Sequence, residues 1–413
     1  MSRGAALTSE TDAVTWLLSA AAIRQRAQVL LARVERGDSA HFIYHPGKLA
    51  STITLVHASV RTNYPTLVIP FHSRWRHFEA GGTDRWAALS SALTVDREER
   101  ARIRFDLAVA SVLLDAGAGP HWSYRAQDGH RYTRSEGLGL ASFEAFRAGL
   151  FSADPDHRLR CDASALQALD ADALANAMQV TEDNLLAGLA GRVALLKRLG
   201  RTLAADPLHF GRPGRIGHLF DFLHCQALGG MLPARRILET VLLACGPIWP
   251  GRHNLGGQPL GDTWRHSAFA ADDSGLGWVP LHKLSQWLSY SLIEPLEEAG
   301  VRVTDLDELT GLAEYRNGGL MLDAGLIEAR DPGLSGMLLA ADSEPVVEWR
   351  SLTVTLLDRL AEGLRARLGL DAQALPLARV LEGGTWAAGR LLARQRRADG
   401  GPPLSIASDG TLF

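Results

Sequence analysis

Lysine is almost missing from this chain. Only Lys48, Lys197 and Lys283 stand among 43 basic residues, so arginine serves nearly everywhere a cation is wanted. A compositional bias of the source genome is the plain cause. It weakens any single arginine as a sign of function and strengthens each remaining lysine a little. Cysteine is also scarce. Cys161, Cys225 and Cys245 are odd in number and form no CxxC pair, a pattern of free, mostly buried thiols in a reducing compartment. No apolar run approaches the roughly 18 residues of a membrane span. The opening residues, MSRGAALTSETDAVTW, lack the apolar core of a signal peptide. A soluble, cytoplasmic protein without membrane association is expected.

A large charge excess is absent too. The net charge is -3 over 413 residues with a pI near 6.5, which argues against a dedicated nucleic-acid binder. Several chemical signatures are missing. There is no HExxH; His72 and His77 are five apart, His209, His218 and His224 are scattered, and His253 and His266 share a loop. None has metal-ligand spacing, so no metal is expected. Neither a GxSxG elbow, a GxxxxGK loop nor a GxGxxG fingerprint occurs, which speaks against ATP and NAD chemistry and predicts no cofactor.

What is present is helical periodicity. The chain is 46% hydrophobic and can bury a sizeable core. Apolar spacing predicts helices over 12–36, 49–61, 106–116 and 343–368, the last opened by Ser343-Glu344-Pro345. Leu67-Val68-Ile69-Pro70 reads as the first short strand, and Asp128-Gly129 between aromatic neighbours as a hairpin turn. The stretch 152–206 reads as helical scaffold, and 404–413, with Asp409-Gly410, as a tail folding back in short strands. The fold class is mainly α with a few short β-strands. One domain over 1–413 is expected, with a division into 1–150, carrying the small β element, and 151–413 as the alternative.

Four stretches could carry chemistry. Residues 73–86 hold Arg74, Trp75, Arg76, His77, Glu79 and Trp86 close together, as a ligand-contacting segment or as a charged, packed turn. Residues 246–266 form a long loop rich in glycine and proline that carries Asp262, and long ordered loops are more often functional than not. Gly383-Gly384-Thr385 before a helix suits an anion or, more simply, a turn with Thr385 as N-cap. The fourth is 281–327, where Lys283 opens an apolar-faced helix and Glu314-Tyr315-Arg316 sets an acid, a ring and a base among apolar residues and glycines. Such surroundings desolvate a carboxylate and mark it as a candidate functional group.

The tracts SRWRHFEAGGTDRW, GPIWPG, LGDTWRH, HKLSQWL, LTGLAEYRNGGL and LEGGTWAAGR resemble the uracil-catabolism protein family, over nearly the whole chain. That family pairs with a GTP-cyclohydrolase-II-like protein in degrading uracil through ribosylurea-type intermediates, which implies the same pathway and partner here. A shorter resemblance covers about fifty residues. DELTGLAEYRNGGLMLDAGLI and HKLSQWLSYSL are similar to segments of the queuosine-nucleotide N-glycosylase family. It implies a helical fold related to helix-hairpin-helix DNA glycosylases, and hydrolysis of an N-ribosidic bond. Glu314 stands where that family has aspartate, and Tyr290-Ser291 where it has another.

Together the resemblances imply a hydrolase that releases urea from ribosylurea or its 5-phosphate through an oxocarbenium-like state. In that reading Glu314 is the carboxylate at the anomeric carbon and Asp262 a secondary acid or base. Arg316 and Lys283 are orienting cations, Tyr315 and Trp75 an apolar lid, and Arg74, Arg76, His77 and Glu79 a polar wall. An amidohydrolase acting on a ring-opened ureido intermediate, and a non-catalytic partner of the cyclohydrolase-like protein, are the alternatives.

Overall fold

The first expected helix is two. Ser19 ends Glu10–Leu17 and caps the next helix, its Oγ accepting the Ala22 N–H at 3.2 Å. The structure is a computed structural model and describes residues 10–249, 253–269 and 277–407. Its main helices are α1 (Ala20–Glu35), α2 (Leu49–Asn63), α3 (Arg97–Leu113), α4 (Arg134–Arg147), α5 (Leu189–Ala205), α6 (Ala234–Ala244), α7 (Lys283–Glu298), α8 (Tyr315–Asp323), α9 (Glu344–Leu368) and α10 (Trp386–Arg396). Helix takes 58% of the described residues and no described strand exceeds three residues, so the fold is mainly α. Among the described residues, no helix is long and apolar enough to cross a membrane.

Two compact units divide the described residues. The first takes those of Met1–His72, Arg252–Gln286 and Asp305–Ala407, and the second those of Ser73–Gly251 and Trp287–Thr304. Neither has a limit near residue 150.

In the first unit, α9 is buried along Val346 to Leu357 and packs against α1 through Ile23, Ala27, Leu30 and Val34. This is the broad apolar stripe that fixes a helix in a core. Short α8 packs on α9 and α10. Its Gly318 makes the approach possible, since a Cβ there would lie 2.8 Å from Trp349 Cε2. Phe42–Tyr44 pairs antiparallel with Ile327–Ala329, and Thr263–Arg265 with Trp278–Pro280. Of the loop 246–266, the 3-10 turn (Gly246–Ile248) belongs to the second unit, and the hairpin (Asn254–Leu255 with Gln258–Pro259) and that strand to the first; its residues 250–252 lie outside the described residues.

Two expectations in this unit are corrected. Residues 67–70 form no strand, because Leu67 sits at φ 61 and Pro70 brings no N–H for a ladder. Gly383-Gly384-Thr385 neither starts nor caps a helix. Leu381–Thr385 is a π-helical turn running directly from Leu377–Val380 into α10, with Thr385 at φ -68, ψ -42. Its N–H groups lie inside a continuous helix, and Gly384 admits α2, as a Cβ there would lie 2.6 Å from Val56 Cγ1. Ser405–Ile406 pairs with Leu338–Leu339, while the Asp409-Gly410 turn lies outside the described residues.

In the second unit α3 forms the buried axis, with Phe105, Leu107, Val109 and Val112 fully enclosed. Tyr124–Arg125 and Arg131–Tyr132 make the expected hairpin around Asp128-Gly129. The stretch 152–206 is helical at Ala163–Ala168, Ala171–Ala177 and α5.

Candidate functional site

Asp262 closes the loop ahead of Thr263–Arg265 and captures the start of α7. Its backbone carbonyl accepts the N–H groups of Leu281 (2.9 Å) and His282 (3.2 Å), and its Oδ2 accepts that of Lys283 at 2.9 Å. His282 takes a left-handed φ of 45 to make this entry, while its Nε2 meets the Leu17 carbonyl at 2.9 Å. Burial pushes that imidazole below its ordinary value and keeps it neutral. Lys283 itself is buried at the helix start.

Arg350, buried in the N-terminal third of α9, meets Asp262 with both prongs of its guanidinium, at 2.8 Å to Oδ1 and 2.7 Å to Oδ2. Its Nε donates to the Ala313 carbonyl at 3.1 Å. One side chain therefore joins the start of α7 to the residue before Glu314. Trp264 Nε1 adds a bond to Asp262 Oδ1 at 2.6 Å. Burial would raise the Asp262 carboxyl, but the Arg350 charge and these donors outweigh it and hold it well below the usual carboxylate range. With four donors and no proton near neutrality, Asp262 has the chemistry of an anchor and not of an acid.

Glu314 is the N-cap of α8. Its Oε2 accepts the Arg316 N–H at 2.6 Å and its Oε1 the Asn317 N–H at 2.5 Å. A carboxylate oxygen has about two acceptor sites, so each keeps one after capping. The side chain is buried. Arg316 is 4% exposed and Asn317 0%. The Arg316 guanidinium bonds the Gly400 carbonyl at 3.1 Å and lies 5.2 Å from the centre of the half-buried Tyr315 ring. Among the described residues no carboxylate pairs with it, and its Nε–H is buried without an acceptor. Both polar atoms of the Asn317 amide are likewise buried without partners. Such groups normally find partners inside a protein, so the first turn of α8 concentrates unmet hydrogen-bonding capacity beside a fixed carboxylate.

The other predicted residues belong to the second unit and are committed there. Arg74 is fully buried; its Nε donates to Ser111 Oγ at 2.6 Å and its Nη1 pairs with Asp115 at 3.0 Å. Burial pushes its guanidinium below the ordinary value against the opposing pull of Asp115. The Trp75 indole N–H donates to the Ser291 carbonyl at 2.8 Å, and Arg104 covers the Trp75 ring at 3.8 Å. Arg76 pairs with Glu294 at 2.7 Å and Glu79 at 3.0 Å, and His77 packs edge-on to Trp287. This is the packed, charged turn of the two readings of 73–86. Within the first unit, Arg350 links Asp262 and the backbone of Lys283 to Ala313, the residue before Glu314-Tyr315-Arg316.

Sequence reading missed Arg350 and Asn317. A signal for Arg350 exists: it and Glu348 interrupt an apolar run in α9. Glu348 serves the far end of the same strand, lying 3.4 Å from His266 and accepting the Ser39 hydroxyl. A cavity of about 660 Å³ between α1 and α9 is lined by Arg24, Asp307, Asp358, Arg359 and Arg365, and contains none of the predicted site residues. Six of its charges are paired: Arg24 with Asp358 (2.8 Å), Arg359 with Glu35 (2.8 Å) and Arg365 with Asp307 (2.5 Å). Of the thiols, Cys161 and Cys245 are buried, and burial pushes Cys245 up to about 12, so neither is a ready nucleophile.

Comparison with known proteins finds close relatives over the full length. The pattern of a family described as "Protein of unknown function (DUF1688)" matches residues 16–413. Protein urg3 of Schizosaccharomyces pombe (strain 972 / ATCC 24843) is 40% identical over 415 residues, 98% of this chain and 100% of the relative. Uracil catabolism protein 4 of Lachancea kluyveri is 34% identical over 436 residues, 97% of this chain and 99% of the relative.

Proposed function

The chain belongs to the family matched over residues 16–413, and from that membership we propose that it serves uracil catabolism as a hydrolase releasing urea from ribosylurea or its 5-phosphate. Similarity over nearly the whole chain to a protein named Uracil catabolism protein 4 supports the pathway. The reaction rests on one observation: a buried carboxylate, Glu314, held by two backbone N–H groups next to a buried guanidinium that pairs with no carboxylate among the described residues. The same stretch carries the similarity to N-ribosidic hydrolases, and a helix-hairpin-helix-type kinship of the fold is part of this proposal.

The bond in question joins the anomeric carbon to a urea nitrogen. As it breaks, its electron pair leaves with the nitrogen and positive charge develops on the sugar. Glu314, through the acceptor sites its cap leaves open, faces that charge and orients the water that adds to the carbon. The water gives up one proton and the departing nitrogen gains one, so urea and the free sugar result. Lys283 supplies positive charge for a 5-phosphate, Arg316 orients the substrate, and the Tyr315 ring packs against the sugar. Asp262 and Arg350 are positioning residues, tying the two helix starts together.

Incubating the purified protein with synthetic ribosylurea 5-phosphate and following urea tests the assignment. Urea release above the rate without protein supports it. A folded protein that releases none removes it.

A further inference from the structure

We infer that Asn317, with the Nε–H of Arg316, forms the subsite that recognises the ureido group of the substrate, a role that rests on the function proposed above. Asn317 is fully buried at the first turn of α8, and its backbone N–H is spent on Glu314 at 2.5 Å. Among the described residues its side-chain amide makes no hydrogen bond through either Nδ2 or Oδ1. Left so, the amide carries the full desolvation penalty of its donors and acceptor. A bound group that satisfied both would relieve it.

The chemistry of the unmet atoms selects that group. An asparagine amide offers two N–H donors and one carbonyl acceptor. Its complement is a planar group bearing a carbonyl and an N–H side by side, which is what a urea presents. A phosphate or a carboxylate offers only acceptors and would leave Oδ1 unpaired. The buried Nε–H of Arg316, on the neighbouring residue, adds a donor for a carbonyl oxygen. Arg316 has no carboxylate partner among the described residues, so its charge is available to polarise that carbonyl as the leaving nitrogen takes up electron density. Glu314 caps the backbone N–H groups of these same two residues, at 2.6 and 2.5 Å. The carboxylate and the ureido subsite are thereby held by one turn of helix.

A structural asparagine and a ligand-binding one respond oppositely to removal of the amide. Replacing an unsatisfied buried amide by an apolar group of similar size relieves the folded protein and removes recognition. Asn317→Leu and the smaller Asn317→Ser are compared with the wild type by thermal melting and by calorimetric binding of ribosylurea, N-methylurea and ribose 5-phosphate. Asn317→Leu is expected to melt at or above the wild-type temperature. Both variants are expected to bind the two ureas at least about tenfold more weakly, the loss of a single hydrogen bond, with ribose 5-phosphate unaffected. Ureas bound equally by wild type and variants, no urea bound by the wild type, or a lower melting temperature in both variants would each overturn the subsite. The reaction is judged separately: ribosylurea bound but never cleaved defeats the hydrolase and leaves the subsite. Cleavage with a KM that Asn317→Leu does not change does the reverse.

Discussion

Arg350 and Asp262 form a two-pronged ion pair, at 2.8 and 2.7 Å, and the same guanidinium holds the Ala313 carbonyl at 3.1 Å. Through this one side chain the long helix α9 fixes where α7 begins and where Glu314 stands. Replacing it by an apolar residue leaves a buried carboxylate with its principal partner gone, which costs about 3–5 kcal/mol. Arg350→Met is therefore expected to lower the free energy of unfolding by that order in urea denaturation. Arg350→Lys restores only part of it, because a lysine cannot reproduce the planar fork.

The same pair predicts an acid limb. The folded Asp262 carboxyl lies below its ordinary value of 3.8, so its contribution is fully present above about pH 4. It is lost as pH falls further toward the folded value. Asp262→Asn removes that contribution at every pH. The stability gap between wild type and Asp262→Asn is expected to stay constant from pH 7 to about 5 and to narrow below about pH 4, as read from denaturation midpoints. A gap that widened in acid would contradict the pairing.

Packing around α8 makes a third expectation. A methyl group on Gly318 would meet Trp349 at 2.8–2.9 Å and Thr353 Oγ1 at 3.0 Å. Overpacking of this kind costs about 1–3 kcal/mol. Gly318→Ala should lower the melting temperature and, by shifting the first turn of α8, slow urea release as well. Activity unchanged beside a lowered melting temperature would detach α8 from the chemistry.

Arg74 is expected to act on stability. Its guanidinium is fully enclosed against Asp115 and Ser111, and Arg74→Ala strands the Asp115 carboxylate in the interior. A loss of about 3–5 kcal/mol in unfolding free energy is predicted.

How far the sequence disclosed these features varied with the physics behind each. The long helix α9 and the C-terminal half of α3 were legible because burial on every side makes them long apolar runs, whereas the polar start of α3 from Arg97 was not. Residues 67–70 misled because valine and isoleucine favour strands only when a neighbouring strand exists to pair with. Leu381–Thr385 misled because two glycines before a threonine look like a helix boundary, whereas here Gly384 makes room for Val56 and Val60 and Gly383 for Ile69. In the site, Glu314-Tyr315-Arg316 stood out by composition, yet the capping role of Glu314 did not, since caps are usually Ser, Thr, Asp or Asn. Arg350 was hidden by the abundance of arginine. Nothing in the sequence distinguishes Asn317 from a surface asparagine, because its isolation from partners exists only once α8 is packed.

The most direct measurement is the rate of urea release from ribosylurea 5-phosphate by wild type and Glu314→Gln, with folding checked by melting temperature. Glutamine retains one capping oxygen, so stability should fall by only about 1 kcal/mol. Activity should fall by about 10²–10⁴-fold if the carboxylate stabilises the oxocarbenium-like state and orients water. A folded Glu314→Gln protein that releases urea at the wild-type rate would contradict the role assigned to Glu314 and the site built around it.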